Sequence, residues 1–144
     1  MKSLRLFRDY LAEGIVKKQA PDISRSRSLV IEAENSYSAI LENLEKIGIS
    51  DKNANLMIKN AYDIIMELIR SKMLLSGFNS VGLGAHEAEV AYLRDLGFSA
   101  SDVEFANQLR YFRNGITYYG KSFDADYAKK VVEFLKKMYE KLKR

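Results

Sequence analysis

Between Leu109 and Gly120 the sequence holds two arginines, one asparagine, one threonine and three tyrosines in twelve residues. Two guanidiniums with an amide, a hydroxyl and phenols are groups that bind and orient a phosphate. Their spacing is helical. Arg110, Asn114 and Tyr118 stack at i, i+4 and i+8, and Arg113 pairs with Thr117 at i, i+4. Beside this ladder, Phe105, Leu109, Phe112, Ile116 and Tyr119 recur at steps of four, three, four and three, which predicts an apolar seam on the same helix. A glycine after Asn114 costs a helix about 1 kcal/mol relative to alanine. Arg113 and Asn114 therefore read either as site residues or as a buried polar pair.

The elements that must position this helix follow from periodicity. Residues 3–18 read as a first helix with Leu4, Phe7, Leu11 and Ile15 on one face, ended by Pro21, with Pro21 to Ser24 as a connector. A second helix runs from Ser26 or Ser28 to Ile47, on Val30, Ala33, Tyr37, Ile40, Leu44 and Ile47, and Gly48 follows it. Ser50 is a suitable N-cap for the third, roughly Asp51 to Ser76. That helix is the most apolar: Ile58, Ala61, Ile65 and Leu68 mark one face, widened by Met57, Ile64, Met73 and Leu75, as expected of the centre of a bundle.

Three glycines between 77 and 84 make the longest loop. Their spacing does not match a phosphate-binding fingerprint, and no strand is expected before them. A short helix from Ala85 to Leu96 closes at Gly97, and Ser99 or Ser101 caps the helix that bears the ladder. Ser122 or Asp124 caps a last helix on Val131, Phe134, Met138 and Leu142. The fold class is all-α, an antiparallel bundle of five to six helices with an extra N-terminal helix. Residues 1–24 read as an N-terminal extension and 25–144 as the bundle, one compact domain overall.

Composition narrows the function classes. The chain has no cysteine, which excludes disulfides, thiolate metal sites and cysteine nucleophiles and suits a cytoplasmic protein. No apolar run approaches the ~20 residues of a membrane span, and the charged N-terminus does not read as a secretory signal. No cofactor and no metal are expected. His86 is the only histidine; beside Glu87 at a helix start it reads as a capping or packing residue, without the partners of a metal site or a catalytic triad. Net charge is +4, distributed as +4 over residues 1–28, −5 over 29–128 and +5 over 129–144. Basic ends suit a polyanion partner, or more plainly the helix dipole and solubility. The nine tyrosines can stack bases, although tyrosines in bundles are more often core residues with a polar tip.

From about Ser28 onward the chain resembles the higher-eukaryote and prokaryote nucleotide-binding (HEPN) domain family. Asn60-Ala61-Tyr62-Asp63 through Leu74-Leu75-Ser76-Gly77-Phe78, then a loop and His86, resemble the family's second long helix and the turn after it. Arg110-Tyr111-Phe112-Arg113-Asn114-Gly115-Ile116-Thr117-Tyr118-Tyr119-Gly120 resembles its signature helix, an Arg-Asn pair followed by a histidine. The resemblance implies a homodimer through the helix around 101–120, RNA or a nucleotide as ligand, and a small nucleotidyltransferase partner in a toxin–antitoxin or defence system. It also implies metal-independent RNA cleavage in active members. Here Tyr118 stands where the family has histidine, and residues 109–144 contain no histidine. A phenol of pKa ~10 is a poor base where an imidazole near neutrality serves well. The expected function is therefore a non-catalytic module binding nucleic acid, nucleotide or a partner protein through Arg110, Arg113, Asn114, Thr117 and Tyr118. The alternative is an endoribonuclease with Arg113, Asn114 and Tyr118 as an atypical catalytic set.

Overall fold

The structure, a computed structural model, describes residues 3–144; Met1 and Lys2, which begin the expected extension, lie outside the described residues. In chain order the elements are α1 (Phe7–Ala12), β1 (Val16–Lys18), α2 (Ile23–Lys46), α3 (Ala54–Leu75), β2 (Phe78–Ser80), α4 (Ala85–Asp95), α5 (Ala100–Tyr119) and α6 (Ala125–Leu142). The protein is an all-α helical bundle with one two-stranded sheet.

Helix α3 is the centre of the bundle, with α2, α4, α5 and α6 packed around it. Ile58, Ala61, Ile64, Ile65, Leu68 and Met73 are all buried, as the wide apolar face requires, while Leu75 at the helix end is exposed. Helix α6 buries Val131, Phe134, Met138 and Leu142, the stripe expected from its sequence. Helix α2 is more shallowly seated. Only Ser26, Ala33 and Ile40 are buried on it, and Ile47, expected on its stripe, is exposed beyond the last helical turn.

Local chemistry sets most helix ends. The Asp22 carboxylate accepts from the Arg25 amide at 3.0 Å, so α2 starts at Ile23, inside the segment expected to be a connector. Ser99 and Asp124 cap α5 and α6 by accepting from the Asp102 and Tyr127 amides at 3.2 and 2.9 Å. At α3 the cap position belongs to Asn53 rather than Ser50; its side chain ties the Ser50 amide and the Gly48 carbonyl, both at 2.9 Å.

The N-terminal segment departs most from expectation. Residues 3–18 are not one helix. Helix α1 stops at Ala12, Gly14 takes a φ of 79°, and the chain then pairs as β1. β1 runs antiparallel to β2 with Val16 opposite Ser80, Lys17 opposite Asn79 and Lys18 opposite Phe78. The Gln19 and Asp22 amides donate to the carbonyls of Gly77 and Leu74 at 2.8 and 3.0 Å, and the Val81 amide to that of Ile15 at 2.9 Å. Satisfying these backbone groups against β2 outweighs fewer than two further helical turns across a glycine. Gly77 makes the close approach possible. With φ at 81°, a Cβ there would lie 2.6 Å from the Gln19 carbonyl oxygen. A short strand thus lies inside the expected glycine loop, between Gly77 and Gly82, and a helix follows it.

Candidate functional site

Helix α5 is buried through its first half, at Asp102, Val103, Ala106, Asn107 and Leu109. Its second half runs out over the bundle edge. Tyr111, Tyr118 and Tyr119 are exposed, so Tyr119 leaves the seam on which its spacing placed it. Gly120 ends the helix at a φ of 65°, and the Gly120 and Lys121 amides both turn back to the Gly115 carbonyl, the latter at 3.1 Å. A Cβ on Gly115 would come within 3.2 Å of Lys121 Cγ. The glycine after Asn114 therefore has a local reason: it lets Lys121 fold back along α5.

Two cavities adjoin this overhang. The first, about 370 Å³, lies between α5 and the start of α4 and is lined by Arg110, Arg113, Asn114 and Tyr118 on one side and by residues 82–87, including His86 and Glu87, on the other. Four of the five ladder residues come together here. Thr117 does not; it is exposed on another face of α5. The second cavity, about 380 Å³, is lined by Tyr111, Phe112, Asn114, Gly115, Tyr118, Tyr119, Lys121 and Phe123. Asn114 and Tyr118 border both.

The guanidiniums in the first cleft are held but not saturated. Arg110 donates through Nε and one terminal nitrogen to Asn107 Oδ1 at 3.1 and 3.0 Å, a neutral acceptor that orients it without cancelling its charge. Its nearest carboxylate, Glu87, is 3.8 Å away. Arg113 is likewise 3.8 Å from Asp63, lies over the Tyr62 ring at 5.4 Å, and keeps a buried Nε with no hydrogen-bond partner. A distance of 3.8 Å is attraction without a hydrogen bond; Asp63 is exposed and Glu87 half-buried. Opposite the arginines is the start of α4. Gly84, its N-cap residue at a φ of 89°, has no side chain to cap it, and the His86 and Glu87 amides find no backbone acceptor among the described residues. Free amides and the positive end of a helix dipole favour an anion.

Of the two roles expected for His86, capping and packing, it takes the second, since Gly84 holds the cap position and the imidazole packs on Tyr62. The Tyr62 hydroxyl and His86 Nδ1 are hydrogen-bonded at 3.0 Å, which turns the imidazole between α3 and α4 into the arginine cleft. Burial, reinforced by the Arg70 and Arg113 charges and opposed by Glu89, lowers its pKa below 6.5, so the ring is neutral at pH 7. Burial foremost also pushes the Tyr62 phenol well above its ordinary range. No spacing in the sequence could have found this, because Tyr62, His86 and Arg113 belong to three different helices.

Behind His86 a third cavity, about 490 Å³, opens between α2 and α3 and includes Glu32, Asp63, Glu67 and Arg70. Burial, then repulsion from Glu32 and Asp63, raises the Glu67 carboxyl to about 7, against the pull of Arg70. Among the described residues no group of three or more histidines and carboxylates gathers to hold a metal ion, and no helix is long and apolar enough to cross a membrane.

Four of the nine tyrosines (Tyr10, Tyr62, Tyr92, Tyr139) are buried and two are intermediate; only the three on α5 are exposed. The basic C-terminal end also has structural work. Lys137 donates to buried Asp102 at 2.6 Å and Lys141 lies 3.5 Å from it, which ties α6 to the start of α5.

No protein-family model, no curated protein and no solved structure matches this chain. Function has to be argued from the site itself.

Proposed function

We propose that this chain is a HEPN-like helical-bundle protein that binds phosphate groups of a nucleic acid or nucleotide in the cleft between α5 and the start of α4. One observation carries the reading: Arg110, Arg113 and Asn114 face an uncapped helix N-terminus across a single cleft, and neither guanidinium is within hydrogen-bond distance of a carboxylate. A phosphate oxygen there meets charge-assisted donors from both walls. Asp63 and Glu87 compete weakly, since both stand 3.8 Å away, beyond hydrogen-bond distance. The resemblance adds the expected setting, a homodimer through α5 and a small nucleotidyltransferase partner. Light scattering at twice the 16.5 kDa chain mass is the expected result for the dimer, and a monomer at tens of micromolar would count against it.

The lone imidazole offers a direct test. An anion beside Arg113 opposes the charge that depresses the His86 pKa. Titrated by NMR, the single histidine resonance should shift to a higher pKa when phosphate or a short oligonucleotide is added. Arg113→Ala should abolish that shift and weaken binding about tenfold or more, the loss expected for charged hydrogen bonds of ~1.5–3 kcal/mol. Binding unaffected by Arg113→Ala, with a stationary His86 resonance, would overturn the reading.

The presence of His86 in this cleft also favours a second reading, a metal-independent endoribonuclease. The imidazole is neutral at pH 7 and so able to take a proton from an attacking 2′-hydroxyl and return it to the departing 5′-oxygen as the P–O bond breaks, leaving a 2′,3′-cyclic phosphate, while Arg113 stabilises the charged phosphorane. In this reading His86, not Tyr118, supplies the proton-transfer group. Cleavage of RNA by metal-free protein that is lost in His86→Ala, with oligonucleotide binding retained, would establish it. Absence of cleavage leaves the binding module.

A further inference from the structure

The second cavity of α5 adjoins the arginine cleft and is built differently from it. Its floor is aromatic: Phe112 and Phe123 lie 4.9 Å apart between ring centroids, backed by Tyr127 at 5.4 Å from Phe112. Its rim is Tyr111, Tyr118 and Tyr119, which are 52%, 69% and 77% exposed. Lys121 crosses one edge along Gly115, and Asn114 stands at the other. Exposed aromatic rings gathered at one helix end, with phenol tips and an amide beside them, suit a flat ligand with a π-face and polar edges rather than an aliphatic chain. The groove opens onto the arginine cleft, because Asn114 and Tyr118 line both.

We propose that this groove is a nucleobase subsite, so that the ligand whose phosphate enters the arginine cleft is a single-stranded nucleic acid with an unpaired base stacked on Tyr111 and Tyr118. The inference rests on the phosphate reading of the cleft and adds the class of polymer. A duplex hides its base faces and offers only its backbone; a single strand presents both backbone and π-face, and stacking on aromatic side chains is tolerant of sequence. Asn114, at the border, is placed to hydrogen-bond a base edge or the adjoining phosphate.

The test compares three labelled probes by fluorescence anisotropy on the full chain: a mixed-sequence RNA decamer, the same decamer in duplex, and a decamer of ribose phosphate without bases. The expected order is tightest binding to the single strand, with the baseless strand weaker by about tenfold, the scale of one stacked base. Tyr111→Ala should weaken the single strand about tenfold and leave the baseless strand unchanged, and Tyr111→Phe should restore binding. Tyr118 borders both cavities, so Tyr118→Ala should weaken the single strand more than the baseless one. Equal affinity for single and baseless strands, or tighter binding to duplex, overturns the base subsite while Arg113-dependent binding leaves the cleft standing. Binding of all three probes that ignores Arg113→Ala overturns both. Light scattering on the same samples covers the remaining occupant. A stable dimer that Tyr111→Ala or Tyr118→Ala dissociates would assign the groove to a second copy of the chain and overturn the proposal.

Discussion

Two arginine–carboxylate sites lie within reach of α4, and they are built in opposite ways. Arg70 meets Glu89 through two hydrogen bonds at 2.8 and 3.0 Å, and the Ser80 hydroxyl donates to the same carboxylate at 2.7 Å. Glu89 is 1% exposed. Every oxygen is used, and the cluster clamps α3, α4 and β2 together. Arg110 and Arg113 instead stand 3.8 Å from carboxylates that they do not hydrogen-bond, and Arg113 Nε has no partner. The same residue types thus make a structural clamp where the carboxylate is buried and its hydrogen bonds are saturated. They make a binding surface where the bonds are left open. Saturation, not charge, separates the two.

The comparison breaks most visibly at the clamp. Arg70→Ala leaves a buried, unpaired carboxylate and should cost about 3–5 kcal/mol, read as a large fall in the denaturation midpoint. An effect below ~1 kcal/mol would mean that the clamp is no tighter than the cleft. Next in size is Gly77→Ala, which closes on the Gln19 carbonyl and forces a positive φ on a side chain. A loss of about 1–3 kcal/mol is expected, with early hydrogen exchange at β1 and β2 as its signature. Arg113→Ala should cost only about 1 kcal/mol of stability, from its contact with the Tyr62 ring and a loose ion pair, while weakening anion binding as described above.

A gain sharpens the contrast. Glu87→Gln and Asp63→Asn each remove a competitor for a cleft arginine and should tighten oligonucleotide binding a few-fold, on the scale of an exposed pair of about 0.5 kcal/mol. Weaker binding in both would show that those carboxylates position the arginines. The smallest expected effect belongs to Glu67, in the cavity between the two sites. Its folded pKa of about 7 lies above the ordinary 4.5, so the folded state holds a proton that the unfolded chain has released. Stability therefore falls as pH rises from 4.5 through 7. Glu67→Gln removes this penalty. The variant should melt above the wild type at pH 8, by no more than about 1 kcal/mol given its contact with water, and the gain should vanish below pH 4.5. His86 acts in the opposite sense. Its pKa is depressed, so its contribution is lost as pH falls below 6.5.

The helices were legible because their signals are local. Asp124, Ser99 and Gly120 cap where their chemistry says they should, and the faces of α3 and α6 follow a 3.6-residue period that burial reproduces. The ladder Arg110, Asn114, Tyr118 is legible for the same reason, since residues four apart on one helix must be neighbours. Thr117 shows the limit of that rule. It follows Arg113 by four residues, yet it faces away from the cleft, because only contact with α4 decides which side of α5 becomes a wall.

What the sequence by itself determined is this set of helices, their caps and the composition of α5. The tertiary structure decided which polar groups meet across elements. β1 finds β2 because open backbone groups at Gln19 and Asp22 lie beside the carbonyls of Gly77 and Leu74 only once α3 has turned at its end. His86 joins Tyr62, and Glu89 joins Arg70, through packing of α4 on α3. Such pairings have no period along the chain. Their strength depends on burial and on distances of a few tenths of an ångström, and both are properties of the folded bundle alone.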